Sequence, residues 1–250
     1  AVRLADLTLK GEIGYPSVLT ATTWGFYDVA FKGKNFKLSQ DYGSYVMENI
    51  LFKISFPAEF HSQTAAEAAV KLHPIVKDRL SDIESIKIKT HESAIRIISK
   101  VGPLNNPADR DHCLQYMIAV PLAFGNLTAE HYEDEFHHNN PIIDALREKM
   151  TVEEEPRYTT EYLESEKRSI ANSLQVFFKD GSATDEIEIN YPVGHRRRRN
   201  EGIPLLEEKF MTNLLTVFTK DRCNAIYDLC KDQEKLENTR VNDFMDLFIP

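Results

Sequence analysis

The sequence contains few cysteines and no long apolar segment, and these absences exclude several classes of protein. Its three cysteines are Cys113, Cys223 and Cys230, and none of them forms a CxxC pair. We therefore expect neither a disulfide framework nor a zinc cluster, and a reducing compartment fits this cysteine usage. No apolar run reaches the roughly 20 residues that cross a bilayer, and the N-terminus has no charged-then-apolar signal pattern. We expect a soluble protein without a membrane partner.

Several common ligand-binding motifs and an excess of positive charge are also missing. No GxGxxG, GxxxxGK[ST] or GxSxG occurs, which removes the usual arguments for dinucleotide binding, nucleotide hydrolysis and serine hydrolase chemistry. Asp and Glu outnumber Lys and Arg by 39 to 30, and the net charge of -9 disfavours a nucleic-acid partner. The run HRRRR at 195–199 is the local exception. In a chain this acidic, we expect it to form a solvated loop, a subunit contact or an internal acid-pairing patch.

The bulk composition is that of a folded globular protein. Hydrophobic residues make up 42% and charged residues 28% of the 250 residues. A chain of this length holds either one large domain or two smaller ones. It begins with Ala1 rather than Met, so we expect a processed chain or one part of a longer product.

Hydrophobic periodicity predicts helices in most of the chain. Helices are expected over 16–33, over 62–73 before Pro74, from Pro107 to the residue before Gly125, from Pro141 onwards and in the region beyond Gly202. Ser62 and Asn106 stand where N-caps belong. Glu67 and Lys71 are spaced for an i,i+4 ion pair on the helix predicted over 62–73.

Strands are predicted between the helical segments. Ile83, Ile86 and Ile88 alternate with polar residues, and we extend this strand prediction through residue 98. Residues 173–192 predict two strands around a turn at Asp180 and Gly181. The predicted class is therefore α+β, with changes of periodicity near residues 48 and 193.

The segment KISFPAEFH places Lys53, Glu59 and His61 around a proline turn that is able to direct them at one cleft. A histidine there is suited to act as a general acid or base, and a lysine to bind a substrate carboxylate. The alternative is structural: ordinary surface charges, with the histidine packed at the start of the next helix. Spacing alone favours the structural interpretation.

A second candidate is the segment GPLNNPADRDH, which places Arg110 and His112 near the start of a predicted helix. Free backbone N–H groups and the helix dipole favour a carboxylate ligand there, and an arginine is able to clamp one with two hydrogen bonds. Helix capping by the Asn and Asp residues of the same segment is the alternative, and the pattern alone favours it.

The segment EHYEDEFHH at 130–138 is rich in acids and histidines and raises the question of a metal site. It lacks a fixed ligand spacing such as HExxH. We expect a solvated helix face and no metal.

Beyond these patterns, the run GPLNNPADRDHCLQYMIAVPLAFG closely resembles the 2-methylcitrate dehydratases of the MmgE/PrpD superfamily. The same resemblance is carried by LTATTWGFYDVAFKGK, YGSYVMENILFKISFPAEFHSQTAAEAA, KTHESAIRII, EKRSIAN, YPVGHRRRRNEGIPLLEEKF and VNDFMDLF. It extends over almost the whole chain. Members of the family are considerably longer, and this chain resembles their C-terminal part.

The resemblance implies a two-domain architecture for the whole protein. An all-helical domain, incomplete here, is built from N- and C-terminal segments, and an α+β lid domain is inserted between them. On this basis, residues 1–47 belong to the helical domain, residues 48–192 form the lid, and residues 193–250 return to the helical domain.

The implied reaction is the elimination of water from 2-methylcitrate to give 2-methyl-cis-aconitate in propionate breakdown, with no iron–sulfur cluster and no other cofactor. Such a reaction requires a base, an acid and cations for the three carboxylates. The resemblance makes Lys53 and His61 the expected catalytic residues, and Arg110 and His112 the expected substrate-binding residues. The related cis-aconitate decarboxylases place a histidine after the Pro-Ala of this turn, where this chain has Glu59, so we expect dehydration rather than decarboxylation.

The expected partners are a small tricarboxylate substrate, a second copy of the chain in a homodimer, and the missing N-terminal helical segment or chain. The resemblance places the protein in the mitochondrial matrix of a eukaryote or the cytoplasm of a bacterium. The alternative is a fragment without activity whose exposed helices serve association with a partner chain.

Overall fold

The computed structural model describes residues 1–37, 43 and 45–250. The chain divides into two compact units, Ala1–Val46 and Met47–Pro250. Among the described residues, no helix is long and apolar enough to span a membrane.

The described residues of the first unit contain two short helices, α1 (Val2–Leu9) and α2 (Phe26–Phe31). The helix predicted over 16–33 forms only in its last part, because threonines and Gly25 lower the helix propensity of the segment before it. It ends where Lys32 adopts the left-handed conformation, with φ 53°. Phe31, the last residue of α2, packs edge to face against Phe36, with ring centroids 4.9 Å apart.

Twelve further helices follow along the described part of the chain, the first of them at the boundary between the units. They are α3 (Tyr45–Asn49), α4 (Gln63–Val76), α5 (Glu92–Ile98), α6 (Pro107–Asp111), α7 (Leu114–Phe124), α8 (Asp134–Asn139), α9 (Ile142–Arg147), α10 (Pro156–Leu163), α11 (Arg199–Leu215), α12 (Lys220–Lys231), α13 (Gln233–Asn238) and α14 (Val241–Asp246). Short 3-10 helices occupy Phe60–Ser62, Lys77–Asp82, Ala129–Tyr132 and Arg196–Arg198.

The described residues of the second unit contain a four-stranded mixed sheet with the order β2-β1-β3-β4. The strands are β1 (Ile83–Thr90), β2 (Met150–Glu154), β3 (Asn172–Phe178) and β4 (Ile187–Ile189). β1 pairs in parallel with β2, whereas the β1–β3 and β3–β4 pairs are antiparallel. In the centre of the sheet, Ile88 lies opposite Val152 on one side and Leu174 on the other.

The main apolar core lies between this sheet and two helices, α4 and α7. α4 is rich in alanine, and Ala65, Ala66, Ala68 and Ala69 are fully buried, so the helix lies close to its neighbours. α7 is buried over most of its length, which explains a sequence that is apolar on all sides. Together, the helices and the mixed sheet confirm the α+β class.

Several of the predicted elements are confirmed. α4 occupies the predicted segment, and Lys71 lies 3.3 Å from Glu67, as the i,i+4 spacing predicted. The Asn106 side chain caps α6 by accepting a hydrogen bond from the Asp109 amide at 2.9 Å. Gly125 ends α7 in the left-handed conformation. The hairpin between β3 and β4 turns at the predicted position, and the segment beyond Gly202 is helical.

Other predictions were wrong in detail. Residues 92–98 form α5 rather than a strand, because Ala94 and Ile98 lie four residues apart and are buried together on one helix face. The helix predicted from Pro107 to the residue before Gly125 divides into α6 and α7, because Cys113 between them is extended. Pro74 lies inside α4 instead of ending it, and the helix ends two residues later at Val76.

The arginine run at 195–199 forms an internal acid-pairing patch, one of the three alternatives expected. Arg198 donates to both carboxylate oxygens of Glu67, at 2.7 and 3.1 Å, and to the backbone oxygen of Tyr191. Arg199 donates to backbone oxygens of Gly194 and Ile50. The run therefore fastens the start of α11 to α4 and to the segment before the proline turn.

We expect Arg198→Ala to lower the free energy of unfolding by about 2 kcal/mol, because it leaves the mostly buried Glu67 carboxylate without its bidentate partner. Urea denaturation measures this change. Lys71→Ala is the matched control, since Lys71 pairs with the same carboxylate but is 55% exposed, and it should cost less than about 1 kcal/mol. Equal effects of the two substitutions would contradict this assignment.

A second, smaller apolar cluster holds the C-terminal helices together. Leu214 of α11 packs with Cys223 and Ile226 of α12, and Phe218 and Phe248 cover them. It is separate from the core of the sheet.

Candidate active-site turn

The candidate site is built on the turn that precedes α4. Glu59 is the N-cap of the 3-10 helix Phe60–Ser62, and its carboxylate accepts a hydrogen bond from the His61 backbone N–H at 2.8 Å. The Ser62 hydroxyl donates to the backbone oxygen of Glu59 at 2.6 Å. At the start of α4, the buried Gln63 amide donates to the backbone oxygens of Phe56 and Ala58. These bonds fix the backbone of the turn in one conformation.

The Glu59 carboxylate also lies 2.7 Å from Nδ1 of His61, and both side chains are mostly buried. Burial raises the pKa of the Glu59 carboxyl, but the hydrogen bonds from His61 and the charge of its ring outweigh burial, so the pKa lies below its usual value. An ionised carboxylate at Nδ1 holds the ring proton on that nitrogen. In the neutral form of the ring, Nε2 then has a free electron pair, as a base requires.

Two aromatic side chains from distant segments adjoin the His61 ring. The Tyr162 hydroxyl, at the end of α10, lies 3.3 Å from Nε2 of His61. The ring of His91, in the residue after β1, lies with its centroid 5.0 Å from that of His61. His91 also stacks on Tyr162, at 4.7 Å and 20°.

His91 is fully buried. Burial, followed by repulsion from the His61 ring, lowers the pKa of His91 to about 4. Among the described residues, its Nε2 has no hydrogen-bond partner. His91 is therefore a neutral ring near pH 7.

A buried asparagine on β3 fixes the other side of the turn. The Asn172 amide donates to the backbone oxygen of His61 at 2.8 Å and to the Thr64 hydroxyl at 2.7 Å. The position of His61 thus depends on the sheet as well as on the turn.

The structure places Lys53 near this site but gives it no direct contact with His61. Its ammonium group lies 5.0 Å from the centre of the Phe60 ring. Its backbone oxygen accepts a hydrogen bond from Lys209 of α11 at 2.6 Å. The Lys53 side chain is exposed, so its ammonium group is accessible to a ligand.

His112 is also exposed, with Nδ1 2.6 Å from the Asp111 carboxylate. It also contributes to the lowered pKa of Glu59, after the larger effects of burial and His61.

Arg110 is the most deeply buried of the four candidates, with 2% of its side chain exposed. Its guanidinium donates to the Tyr132 backbone oxygen at 2.7 Å and pairs with Asp134. His137 lies beside it and continues to Asp144 at 3.0 Å. The acid-rich segment at 130–138 is therefore tied into a network of charged side chains.

In the described part of the chain, no three His, Cys, Asp or Glu side chains are grouped so that they are able to hold a metal ion. Cys113 and Cys223 are buried and free, and Cys230 is exposed.

The sequence predicted the association of Glu59 with His61 but gave no prediction for His91, Tyr162 and Asn172 as neighbours of His61. Tyr162 is 101 residues from His61 in the chain, and Asn172 is 111 residues away. The only local indication was a histidine inside the segment predicted as strand, in KTHESAI.

Comparison with known proteins places these residues in a family. Residues 56–233 match the MmgE/PrpD C-terminal domain. The chain belongs to the MmgE/PrpD family. Within it, the MmgE/PrpD chain is 56% identical over its whole length to the 2-methylcitrate dehydratase of Salmonella typhi, covering 52% of that protein. It is 53% identical to the 2-methylcitrate dehydratase of Escherichia coli, again with 52% covered.

A eukaryotic relative is similarly close. The MmgE/PrpD chain is 54% identical to the mitochondrial 2-methylcitrate dehydratase of Yarrowia lipolytica and covers 48% of it. The chain thus spans about half the length of the curated relatives that it matches. The matched domain begins at Phe56, so it contains the whole turn around His61.

Proposed function

We propose that this chain carries part of the active site of a 2-methylcitrate dehydratase, a hydro-lyase. One observation supports the proposal above the others: a carboxylate-bound histidine, His61, lies within the domain shared with relatives of that name. We propose that the rest of the cleft is formed by a segment equivalent to the part of these relatives that this chain does not cover.

In the proposed reaction, Nε2 of His61 removes a proton from the carbon next to a substrate carboxylate. The hydroxyl group leaves the neighbouring carbon and takes up this proton from the His61 imidazolium, so that water is released, a double bond forms between the two carbons and His61 returns to its neutral form. Glu59 stabilises the imidazolium that forms, as the acidic member of a carboxylate–histidine pair does. The ammonium group of Lys53 binds a substrate carboxylate and stabilises the enolate-like charge that develops on it.

We also propose substrate-binding roles for His112 and Arg110, and favour His112. It is exposed and is electrostatically coupled to Glu59. Arg110 is buried, and its guanidinium already has partners in Tyr132 and Asp134. Its contribution to substrate binding requires one of these contacts to be exchanged for a carboxylate.

For the whole protein, we propose that residues 48–192 form a lid on a helical domain to which residues 1–47 and 193–250 contribute. The confinement of all four described strands to 83–189 and the separate apolar cluster of the C-terminal helices support this division. We further propose a homodimer, located in the mitochondrial matrix if the source is a eukaryote and in the cytoplasm otherwise.

The test is a chimaera in which this chain replaces the matching half of the Salmonella typhimurium relative, which is 55% identical to it. We expect the chimaera to form 2-methyl-cis-aconitate from 2-methylcitrate, followed by ultraviolet absorbance with a chelator present. The unaltered relative is the positive control, and the isolated chain is assayed beside it.

A folded chimaera without turnover would reject the proposal and favour an association role. Release of carbon dioxide from cis-aconitate would favour decarboxylation instead. Turnover by the chimaera but not by the isolated chain would show that the site needs both halves.

A further inference from the structure

His91 and Tyr162, the two aromatic residues beside His61, have no role in the proposed chemistry. Together with His61, they come from three separate parts of the fold. His61 comes from the turn before α4, His91 follows β1, and Tyr162 lies on α10. The three rings are within 4.7 to 5.7 Å of one another. Burying an imidazole without a hydrogen bond at Nε2 is unfavourable, so the arrangement calls for an explanation.

We infer that Tyr162 and His91 are positioning residues that keep His61 neutral and correctly oriented: the Tyr162 hydroxyl donates to Nε2 of His61, and the buried His91 ring supports both. The inference rests on the proposed function of His61 as a base. It assigns Tyr162 and His91 no contact with the substrate.

The direction of the Tyr162 hydrogen bond follows from the Glu59 contact. Because the carboxylate holds the ring proton on Nδ1, Nε2 has an electron pair and no hydrogen. The Tyr162 hydroxyl, 3.3 Å away, is therefore the donor. When Nε2 takes up a proton, the hydroxyl must give up this hydrogen bond or turn to accept one instead, so its donation favours the neutral form of His61. Glu59 has the opposite effect, since its negative charge favours the protonated form.

His91 contributes by its ring rather than by its nitrogens. It stacks on Tyr162 at 20° and lies at 37° to His61, so it occupies the space into which either ring would otherwise turn. A charge at this position would repel a protonated His61. Burial keeps the ring neutral, consistent with a pKa near 4. Among the described residues, the titratable groups next to His61 are Glu59, Tyr162 and His91. The exposed His112 acts on Glu59.

The test uses the chain itself, labelled with ¹⁵N-histidine, and follows the imidazole nitrogens by long-range ¹H–¹⁵N NMR as the pH is varied. We expect His61 to be protonated at Nδ1 when neutral. Tyr162→Phe should move its titration midpoint to higher pH by about 0.5 to 1 unit. Glu59→Gln should move the midpoint to lower pH. The two substitutions therefore shift the His61 titration midpoint in opposite directions.

Tyr158→Phe is the matched control, because Tyr158 lies on the same helix and its hydroxyl bonds to Glu188 at 2.8 Å instead. It should leave the His61 midpoint unchanged. His91→Phe retains a stacked ring and should resemble the wild type, whereas His91→Ala should shift the midpoint in the same direction as Tyr162→Phe. If His91→Ala fails to fold, comparison of the Tyr162→Phe and Tyr158→Phe variants still tests the inference.

A Tyr162→Phe spectrum in which His61 titrates as in the wild type would overturn the inference. This readout does not depend on turnover, so it separates the inference from the proposed function. In an active chimaera, Tyr162→Phe should also lower kcat by about tenfold to a hundredfold, with little change in KM, and move the acid limb of the rate profile to higher pH. A changed His61 midpoint in an inactive chimaera would reject the dehydratase proposal and leave the positioning roles standing.

Discussion

Replacing His61 by Gln in the chimaera is expected to lower kcat for 2-methylcitrate by about a thousandfold, within the range associated with loss of a general base. Glutamine preserves polarity and approximate size, but its amide cannot accept a proton at neutral pH. The side chain meets Glu59 and Tyr162 in a mostly buried position, so the loss of the base rather than of a surface charge is measured. Steady-state assays of water elimination give the value.

Two further variants test whether the loss of activity is specific to His61 acting as the base. Glu59→Gln leaves the His61 ring in place but removes the charge at Nδ1, and we expect a smaller loss of about tenfold to a hundredfold. His138→Gln makes the same chemical change at an exposed histidine and should leave kcat unchanged. A His61 variant as active as the His138 variant would exclude His61 as the base.

The second large effect is structural and concerns Gly194, which precedes the arginine run. Its φ of 102° is one that side chains rarely adopt, and a Cβ there would lie 2.1 Å from the backbone oxygen of Phe52. We expect Gly194→Ala to lower the free energy of unfolding by about 4 kcal/mol, because backbone strain and a backbone clash add together. Urea denaturation measures the loss.

Gly181→Ala separates these two causes. Gly181 in the β3–β4 turn also has a positive φ, 82°, but a Cβ there would have no neighbour within 4 Å. Only strain remains, and we expect a loss of about 1 kcal/mol. Similar losses at both glycines would show that the close approach of Phe52 to Gly194 is not maintained in solution.

The elements that could be predicted from sequence are those whose cause is local. α4 has a run of alanines and suitable i,i+4 charges, and the hairpin turn has its Asp180–Gly181 pair. The same local reasoning failed at 92–98, where an isoleucine-rich segment fits a strand or a short helix equally well. Burial of Ala94 and Ile98 on one face decided between them, and burial is set by the rest of the fold.

The candidate site divides in the same way. Glu59 and His61 are two residues apart, so a single segment predicted their association. Tyr162 and His91 reach His61 only because α10 and the end of β1 converge on the turn. Tyr162 is 101 positions from His61, and His91 is also far beyond one helical or strand repeat, so no periodicity in the sequence indicates how close either lies to His61. Likewise, Arg198 of the arginine run pairs with Glu67 on α4, which is 131 residues away in the chain.

The parallel pairing of β1 with β2 has a consequence for the synthesis of the protein. β1 lies in the interior of the sheet, yet both of its neighbours come later in the chain, and the nearer one begins about 60 residues after β1 ends. At about 5–20 residues per second, the apolar face of β1 waits several seconds for a partner as the chain leaves the ribosome. Until then, α4 and later α7 are the core helices available to shield its isoleucines. Chaperone binding during translation is accordingly expected to concentrate on this strand.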